Sequence, residues 1–415
     1  MSVHYEDAGL RLFHGSNKTV LPTFPDEAFD SIVTDPPYEL GFMGRGWDSS
    51  GIAFDVDLWR ECLRVLKPGG YVLAFGGSRT WHRLMVAIED AGFEIRDSIA
   101  WLHGQGFPKS MNVSKAIDAH LAAERQVVGP TTKGGTGRGN VFGKITRPPV
   151  TAPATESARE WDGWGTALKP AFEPIVVARK LLSGTVAANV LAYGTGAINI
   201  DACRVHSADS EAKPYVVKRF KSGATLNAEG GTWRPDEDDA PTYEGETKPG
   251  RFPPNVLLDE SQAAALDEQT GVLTSGLMKA RTNRQPSKGG VIYGADARNI
   301  VAGDTYADSG GVSRFFPIFR YEAKAPGSER PEVDGIVHST VKPLELMRWL
   351  VRLVTRPGGH VLDLFAGSGT TGEAALLEGM DCTLIELEES HLPLILARVR
   401  KPLQPSMFGD WDGAA

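Results

Sequence analysis

The sequence predicts an α/β protein in which one parallel sheet is assembled from both ends of the chain, with a long insertion between them. Three observations carry this. Strand-like and helix-like stretches alternate over the first hundred residues, and the same alternation resumes near Ser339. The region between is polar, punctuated by Gly and Pro, and without a comparable period. Neither α/β half is long enough to form a doubly wound domain alone, so a single sheet built from both is the economical arrangement. No internal repeat is evident.

In chain order, Gly9–His14 and Ser31–Thr34 read as strands. Val56, Trp59, Leu63 and Leu66 recur on one face of a helix, which Lys67-Pro-Gly-Gly70 is expected to stop ahead of a strand at Tyr71–Phe75. A helix over Arg79–Ala91 and a strand over Ile95–Leu102 complete the first series. Between Gly104 and Lys169 at most two short helical stretches are expected, and Glu173–Arg179 is again strand-like. From Leu181 to Ser313 the sequence is hard to assign. Met347, Leu350, Val351 and Val354 then mark a helix broken by Arg356-Pro-Gly-Gly359. A strand at His360–Phe365, a helix from Thr370, a strand at Cys382–Glu386 and a helix carrying Leu392, Ile395, Leu396 and Val399 follow.

The 415 residues can bury a large core as two domains, or as one domain with a big insertion. Hydrophobic content of 41% and charged content of 23% are ordinary for a globular chain. Without an 18-residue apolar run or a basic-then-apolar leader, the chain is expected in the cytoplasm with no membrane partner. Cys62, Cys203 and Cys382 are odd in number and far apart, which argues against a disulfide framework or a zinc site.

The net charge of −8 does not advertise a nucleic-acid binder, but binding depends on local patches. Residues 103–148 carry Lys109, Lys115, Arg125, Lys133, Arg138, Lys144 and Arg147 against Asp118 and Glu124. A second cluster holds Lys279, Arg281, Arg284 and Lys288 with no acid between its ends. Both segments read equally as solvated, glycine-rich loops.

Asp35-Pro36-Pro37-Tyr38 ends the apolar run Ser31–Thr34. Each proline fixes its own φ and restricts the residue before it, so the backbone is stiff at a strand's C-terminal edge. A carboxylate, a donor-less carbonyl and an aromatic ring held there suit a planar base with an exocyclic amine, and that edge is where open α/β sheets bind ligands. A proline-rich turn after a core strand would leave the same residues. The second motif is Val361-Leu-Asp-Leu-Phe-Ala-Gly-Ser-Gly-Thr-Thr-Gly372, a strand running through glycines into a helix, with Glu386 ending the next strand. Gly367, Gly369 and Gly372 satisfy G-x-G-x-x-G, so a dinucleotide site is one reading. Asp363 beside the loop pulls away from it, because a carboxylate repels a pyrophosphate and attracts an amino group or a sulfonium.

The pairing of DPPY with a distal D-x-F-x-G-x-G loop resembles the amino-group DNA methyltransferases that use S-adenosylmethionine. More narrowly it resembles their β class, in which the catalytic motif comes first, the target-recognition region second and the cofactor loop last. His338-Ser-Thr-Val-Lys-Pro-Leu-Glu345 is similar to the family's H-P-T-x-K-P-x-x-L segment. Gly106-Phe-Pro-Lys-Ser110 and Leu168-Lys-Pro-Ala-Phe-Glu-Pro174 look like stretches of bacterial and phage members. The resemblance covers roughly 8–110, 165–205 and 313–400. It implies a Rossmann-like methyltransferase sheet, circularly permuted, with a large inserted target-recognition region. The corresponding division is a catalytic half (1–103), a mobile basic insertion (104–170), a strand returning to the core (171–182), a target-recognition region (183–312), a cofactor-binding half (313–405) and a tail (406–415).

The resemblance also implies a mechanism. Asp35 and the Pro36 carbonyl, framed by Pro37, accept the hydrogens of a target amine and aim its lone pair at the sulfonium methyl, while Tyr38 stacks on the base. Transfer is a direct in-line displacement that yields S-adenosylhomocysteine, with positioning and electrostatics as its main catalytic terms. The base must leave the duplex of double-stranded DNA first. Asp363, Phe365, Ala366, Gly367, Ser368, Gly369 and Thr370 surround the cofactor, Glu386 bonds its ribose, and Thr340 and Lys342 close over its methionine end; a surface lysine at a helix start is the plain alternative for Lys342. Lys109, Lys115, Arg138, Lys144, Arg281 and Arg284 are the expected DNA contacts, with no metal. One departure is Ser16, which stands after Gly15 where family members usually carry an acid.

DPPY favours adenine N6 over cytosine N4, where serine more often leads the motif, and cytosine N4 is the runner-up. No cysteine follows a proline, which sets aside carbon-5 methylation of cytosine. Enzymes acting on RNA or on protein glutamine place the glycine loop before the catalytic motif. Pro235-Asp236 with Glu246-Thr247-Lys248 mimics a nuclease metal site, but in an acidic loop rather than on neighbouring strands. A catalytically silent DNA-binding module would not need Asp35, Tyr38 and Gly367 intact. The family implies partners as well, a second copy of the chain and a separately encoded restriction enzyme.

Overall fold

The computed structural model describes residues 3–7, 9–40, 50–104, 110–129, 149–205, 214–218, 242–246, 248–275, 308–319, 331–333, 335–338 and 340–401. Two compact units divide the chain, one of residues 1–104 and 172–415 and the other of residues 105–171.

The larger unit opens with the antiparallel pair β1 (Tyr5–Asp7) and β2 (Leu10–His14), followed by β3 (Phe29–Thr34). Helix α1 (Val56–Val65) starts at Asp55, whose carboxylate accepts from the Asp57 amide at 3.0 Å and satisfies one of the free donors of the first turn. Strand β4 (Leu66–Phe75), helix α2 (Trp81–Asp90) and strand β5 (Glu94–Leu102) follow. The helix does end before Lys67, but Lys67–Gly70 lie within β4 rather than ahead of it. Phe29 stands opposite Leu66 and Ser31 opposite Tyr71, so these residues bulge from the ladder without ending it.

The smaller unit contains α3 (Val113–His120) and α4 (Glu156–Glu160), two short helices as the sequence suggests. The buried Asp118 carboxylate gathers them, accepting from Arg125 at 2.5 Å and from the Ala154 and Thr155 amides at 3.0 and 3.1 Å.

The chain returns to the large sheet through β6 (Phe172–Arg179) and continues through α5 (Val186–Tyr193) to β7 (Val256–Asp259) and α6 (Glu260–Thr270). Residues 183–312 are therefore not wholly outside the sheet, since β7 pairs in parallel with β5. Its four residues are too few to show a period among polar neighbours. The short β8 (Ile318–Phe319), then α7 (Leu344–Val354), β9 (His360–Asp363), α8 (Thr370–Leu377), β10 (Asp381–Glu386) and α9 (Leu392–Val399) complete the unit.

Among the described residues ten strands form one mixed sheet in the order β1-β2-β10-β9-β3-β4-β6-β5-β7-β8. All run parallel except the edge strand β1 and the interior strand β6. Both ends of the chain contribute to one sheet, as the sequence predicts, and the two strands from its end, β9 and β10, lie between β2 and β3 from its start. Successive strand residues point to opposite faces, and two cores result. Val33, Val361 and Leu384 face α7, α8 and α9, whereas Ile32, Leu362 and Ile385 face α1 and α2. Trp59 of α1 is fully buried with its indole N–H on the Ala53 carbonyl at 2.9 Å. Cys62, Cys203 and Cys382 are buried free thiols. No helix among the described residues is long and apolar enough to cross a membrane.

Candidate active site

Parallel strands deliver their following residues to one edge of a sheet. Thr34, Asp363 and Glu386 end the neighbouring strands β3, β9 and β10, so Asp35 and the two carboxylates emerge side by side. Strand β6 runs the other way, and its first residues therefore reach this same edge. There Glu173 sits opposite Trp101 of β5, and Pro174 accepts from the Gly76 amide beyond β4 at 2.9 Å.

Around Asp35 four side chains converge. The Lys342 ammonium donates to Asp35 Oδ2 at 2.6 Å and to the Tyr38 hydroxyl at 3.1 Å, and lies 3.4 Å from Glu173 Oε2. Tyr38 in turn donates to Glu173 Oε2 at 3.0 Å, and its carbonyl accepts from Thr80 at 2.7 Å. The ammonium also lies 4.8 Å from the Phe75 ring centroid and 5.3 Å from that of Tyr38, within cation–π range. Burial opposes the charge on Lys342, but Asp35 and Glu173 outweigh it and hold the lysine above its usual range. Burial raises the Asp35 pKa, Lys342 offsets part of that rise, and the Glu173 charge adds to it. Burial and the same two carboxylates push Tyr38 well above an ordinary phenol, so it stays a donor. Asp35 Oδ1 is buried with no hydrogen-bond donor among the described residues. Such an acceptor is costly to leave unmet, and an incoming N–H would satisfy it.

The glycine loop lies beyond Asp363. The buried Asp363 accepts from Thr34 Oγ1 at 2.6 Å and from the Phe365 amide at 3.0 Å. Burial nevertheless lifts its pKa to about 6, with Asp35 adding a like charge and these hydrogen bonds pulling the other way. Glu386 clamps the loop from the next strand: Oε2 accepts from the Gly367 amide at 2.7 Å, and Oε1 accepts from the Glu388 amide at 2.9 Å. Gly367 and Gly369 take φ of +54° and +78°, where a side chain is strained. A Cβ on Gly369 would also approach Ile395 Cγ2 to 3.0 Å, and one on Gly367 would meet the His338 ring at 3.1 Å. Ser368 and Thr370 are buried and share a 3.2 Å hydroxyl contact, while Ala366 donates to the Ile385 carbonyl at 3.0 Å. His338 and His391 pack edge to face, 4.7 Å apart, beside the loop, and His391 Nδ1 lies 3.2 Å from Glu386. Burial first, and His391 second, lower the His338 pKa to about 4.

The structure thus brings Asp35, Pro36, Pro37 and Tyr38 to the edge where the glycine loop, Asp363 and Glu386 also lie. Thr340 is exposed, and the His338 ring lies 2.6 Å from its carbonyl. Lys342, from the same segment, reaches Asp35. Glu173 belongs to the cluster without having been singled out as a site residue; its signals in the sequence are its place in the family-like stretch Leu168–Pro174 and at the head of a strand, which matters because that strand is reversed. Lys115 is exposed on α3 of the smaller unit. Lys109, Arg138, Lys144, Arg281 and Arg284 lie outside the described residues, as do Asp236 and Thr247 of the nuclease-like motif. No group of three or more His, Cys, Asp or Glu side chains able to hold a metal ion occurs among the described residues.

Comparison with known proteins adds an independent view of these residues. A family profile described as DNA methylase matches residues 29–137 and 265–397, which include both motifs. The type II methyltransferase M.HindIII of Haemophilus influenzae is 27% identical over 148 residues, 35% of this chain and 38% of that protein. The type II methyltransferase M.HpaI of Haemophilus parainfluenzae is 31% identical over 115 residues, 26% of this chain and 36% of that protein. The chain thus spans well under half the length of these curated relatives. Among solved structures, the cytosine-N4-specific PvuII DNA methyltransferase superposes over 99% of this chain and 90% of its own, with 14% identity and a TM-score of 0.42, too distant a likeness to bear on the site.

Proposed function

The chain belongs to the N6/N4 family of DNA methylases, and from that premise we propose that it transfers the methyl group of S-adenosylmethionine to the exocyclic N6 amine of adenine in double-stranded DNA, releasing S-adenosylhomocysteine. The observation that carries this reading is the adjacency of two carboxylates with different jobs. Asp35 offers a buried, unmet acceptor, and Asp363 stands at the end of the neighbouring strand, tied to it through Thr34.

The residues of the loop suit this cofactor. Glycines leave the loop uncovered by side chains of their own, and Asp363 and Glu386 flank it with negative charge that would disfavour a pyrophosphate. A cationic centre placed near Asp363 would further favour ionisation of a carboxyl whose pKa burial raises to about 6. Asp363, Phe365, Ala366, Gly367, Ser368, Gly369 and Thr370 would hold the cofactor, with Glu386 accepting from its ribose. When bound, S-adenosylmethionine would supply an electrophilic sulfonium methyl with a neutral thioether as leaving group, the C–S electron pair staying on sulfur.

The protein's own part is orientation and charge. Asp35 Oδ1 accepts one N–H of the amine and the Pro36 carbonyl the other, which turns the nitrogen lone pair out of conjugation and toward the methyl. The alkylated nitrogen sheds one proton, and Asp35 takes it readily because burial has raised its affinity for protons. Tyr38 stacks on a base that has left the duplex, since the amine is otherwise paired. Residues 104–165 and 206–312 supply most contacts to the DNA, Lys115 among them.

The test is incubation of duplex DNA with methyl-labelled S-adenosylmethionine, followed by nucleoside digestion. Label is expected in N6-methyladenine, and Asp35→Ala is expected to abolish it while cofactor binding persists. Equal incorporation by the variant would sink the assignment, and label in N4-methylcytosine would move the target base.

A further inference from the structure

The Asp35 cluster contains one carboxylate more than the proposed reaction uses. Lys342 sits between two of them, 2.6 Å from Asp35 and 3.4 Å from Glu173, and Tyr38 links Lys342 to Glu173 through its hydroxyl. The formal charge of the three ionised groups is therefore negative by one unit. An ammonium paired with Asp35 alone would neutralise the site and place a positive charge against a nitrogen that becomes positive as it is alkylated. With Glu173 in place the ammonium has a second counter-ion, and a net negative charge remains at Asp35.

The geometry points to Glu173 as a positioning residue for the methyl transfer: it is the counter-ion of Lys342, which leaves the charge of Asp35 available to the target amine. This rests on the reading of Asp35 as the acceptor of that amine, and it adds a residue from the reversed strand to the machinery. The unmet Asp35 Oδ1 is where the amine would bind, and Glu173 reaches it through Lys342 and Tyr38, while its Oε1 lies 3.9 Å from Nε2 of the buried His103. The groups that set the charge at Asp35 are Lys342 before α7, Glu173 on β6, Tyr38 of its own motif and Asp363 on β9, with His103 just after β5 facing Glu173 at 3.9 Å.

Glu173→Gln keeps the size of the side chain and an acceptor for Tyr38 while removing the charge. Its kcat is expected to fall roughly 10- to 100-fold, less than the roughly 100- to 1,000-fold of removing a donor that touches the reacting atoms because Glu173 acts through Lys342, with cofactor and DNA affinity unchanged. The acid limb of its pH–kcat profile is expected to move to lower pH, because a charge that raises the Asp35 pKa is gone. Glu173→Asp should recover part of the rate. The double variant Glu173→Gln/Lys342→Met restores the net charge and is expected to turn over faster than Glu173→Gln alone. Thermal melts and cofactor titration of each variant register any loss of folding. A kcat within twofold of wild type, or a double variant slower than the single, overturns the proposal and leaves the methyl-transfer reading standing. Wild-type protein that labels no DNA amine removes both.

Discussion

Thr34 donates a 2.6 Å hydrogen bond to Asp363 from 329 residues away in the chain. The bond joins the strand that leads into Asp35 to the strand that opens the glycine loop. It also holds a carboxylate that burial would rather see protonated.

That burial has a stability consequence with a definite sign. The Asp363 pKa is raised from 3.8 to about 6, so between these values the folded chain binds more protons than the unfolded one. Stability contributed by this group is present below the unfolded value, falls as pH rises through the window, and stays lower above it. Asp363→Asn escapes the loss while its amide oxygen can still accept from Thr34 and Phe365. It is expected to melt above wild type at pH 7.5, by the equivalent of about 1–3 kcal/mol, and level with it at pH 4, while losing cofactor affinity. A variant less stable at pH 7.5 would contradict the sign.

In the proposed reaction Asp35 must be ionised to accept from the amine, and its pKa is raised by burial and by Glu173. Turnover is expected to fall with decreasing pH, with an acid limb above the ordinary aspartate value of 3.8. Single-turnover rates across the acid range check this, and a limb at or below that value would remove Asp35 as the group that sets it.

Gly369 combines a φ of +78° with a neighbour only 3.0 Å from any Cβ. Gly369→Ala is expected to cost about 2 kcal/mol or more, from left-handed backbone strain and displacement of Ile395. Chemical denaturation measures it, and a variant as stable as wild type would mean the loop relaxes freely.

Replacing Lys109, Lys115, Arg138 and Lys144 together by glutamine is expected to weaken DNA binding for every sequence alike. The slope of log affinity against log salt should fall by roughly 0.9 for each phosphate no longer neutralised. Unchanged affinity would exclude this segment from the interface.

Much of the site was legible because its chemistry sits where strands stop. Asp35, Asp363 and Glu386 each follow a run of buried aliphatic residues, and runs such as Val361–Leu362 and Leu384–Ile385 are strong strand signals. Glu173 was not legible as a partner of Asp35, because only the antiparallel direction of β6 brings the beginning of that strand to the active edge. The reach of Lys342 depends on how the segment before α7 crosses the sheet, which no local pattern encodes. Strand β7 and helix α6 were missed for another reason. Val256–Asp259 is short, and Glu260–Thr270 buries only Ala263, so neither shows the apolar period that marks α7.

The interleaving of β9 and β10 between β2 and β3 has a consequence during synthesis. Strands β2 and β3 emerge early, but the two that separate them are made last. At about 5–20 residues per second the 329 residues between Thr34 and Asp363 take roughly 20 to 60 seconds to appear. Over that interval the nascent chain carries two strand edges with no permanent neighbour, open to mispairing or to a chaperone, and no active site. If the proposed function holds, methyl transfer would thus be confined to finished molecules, since a chain ending before the glycine loop would lack the proposed cofactor site.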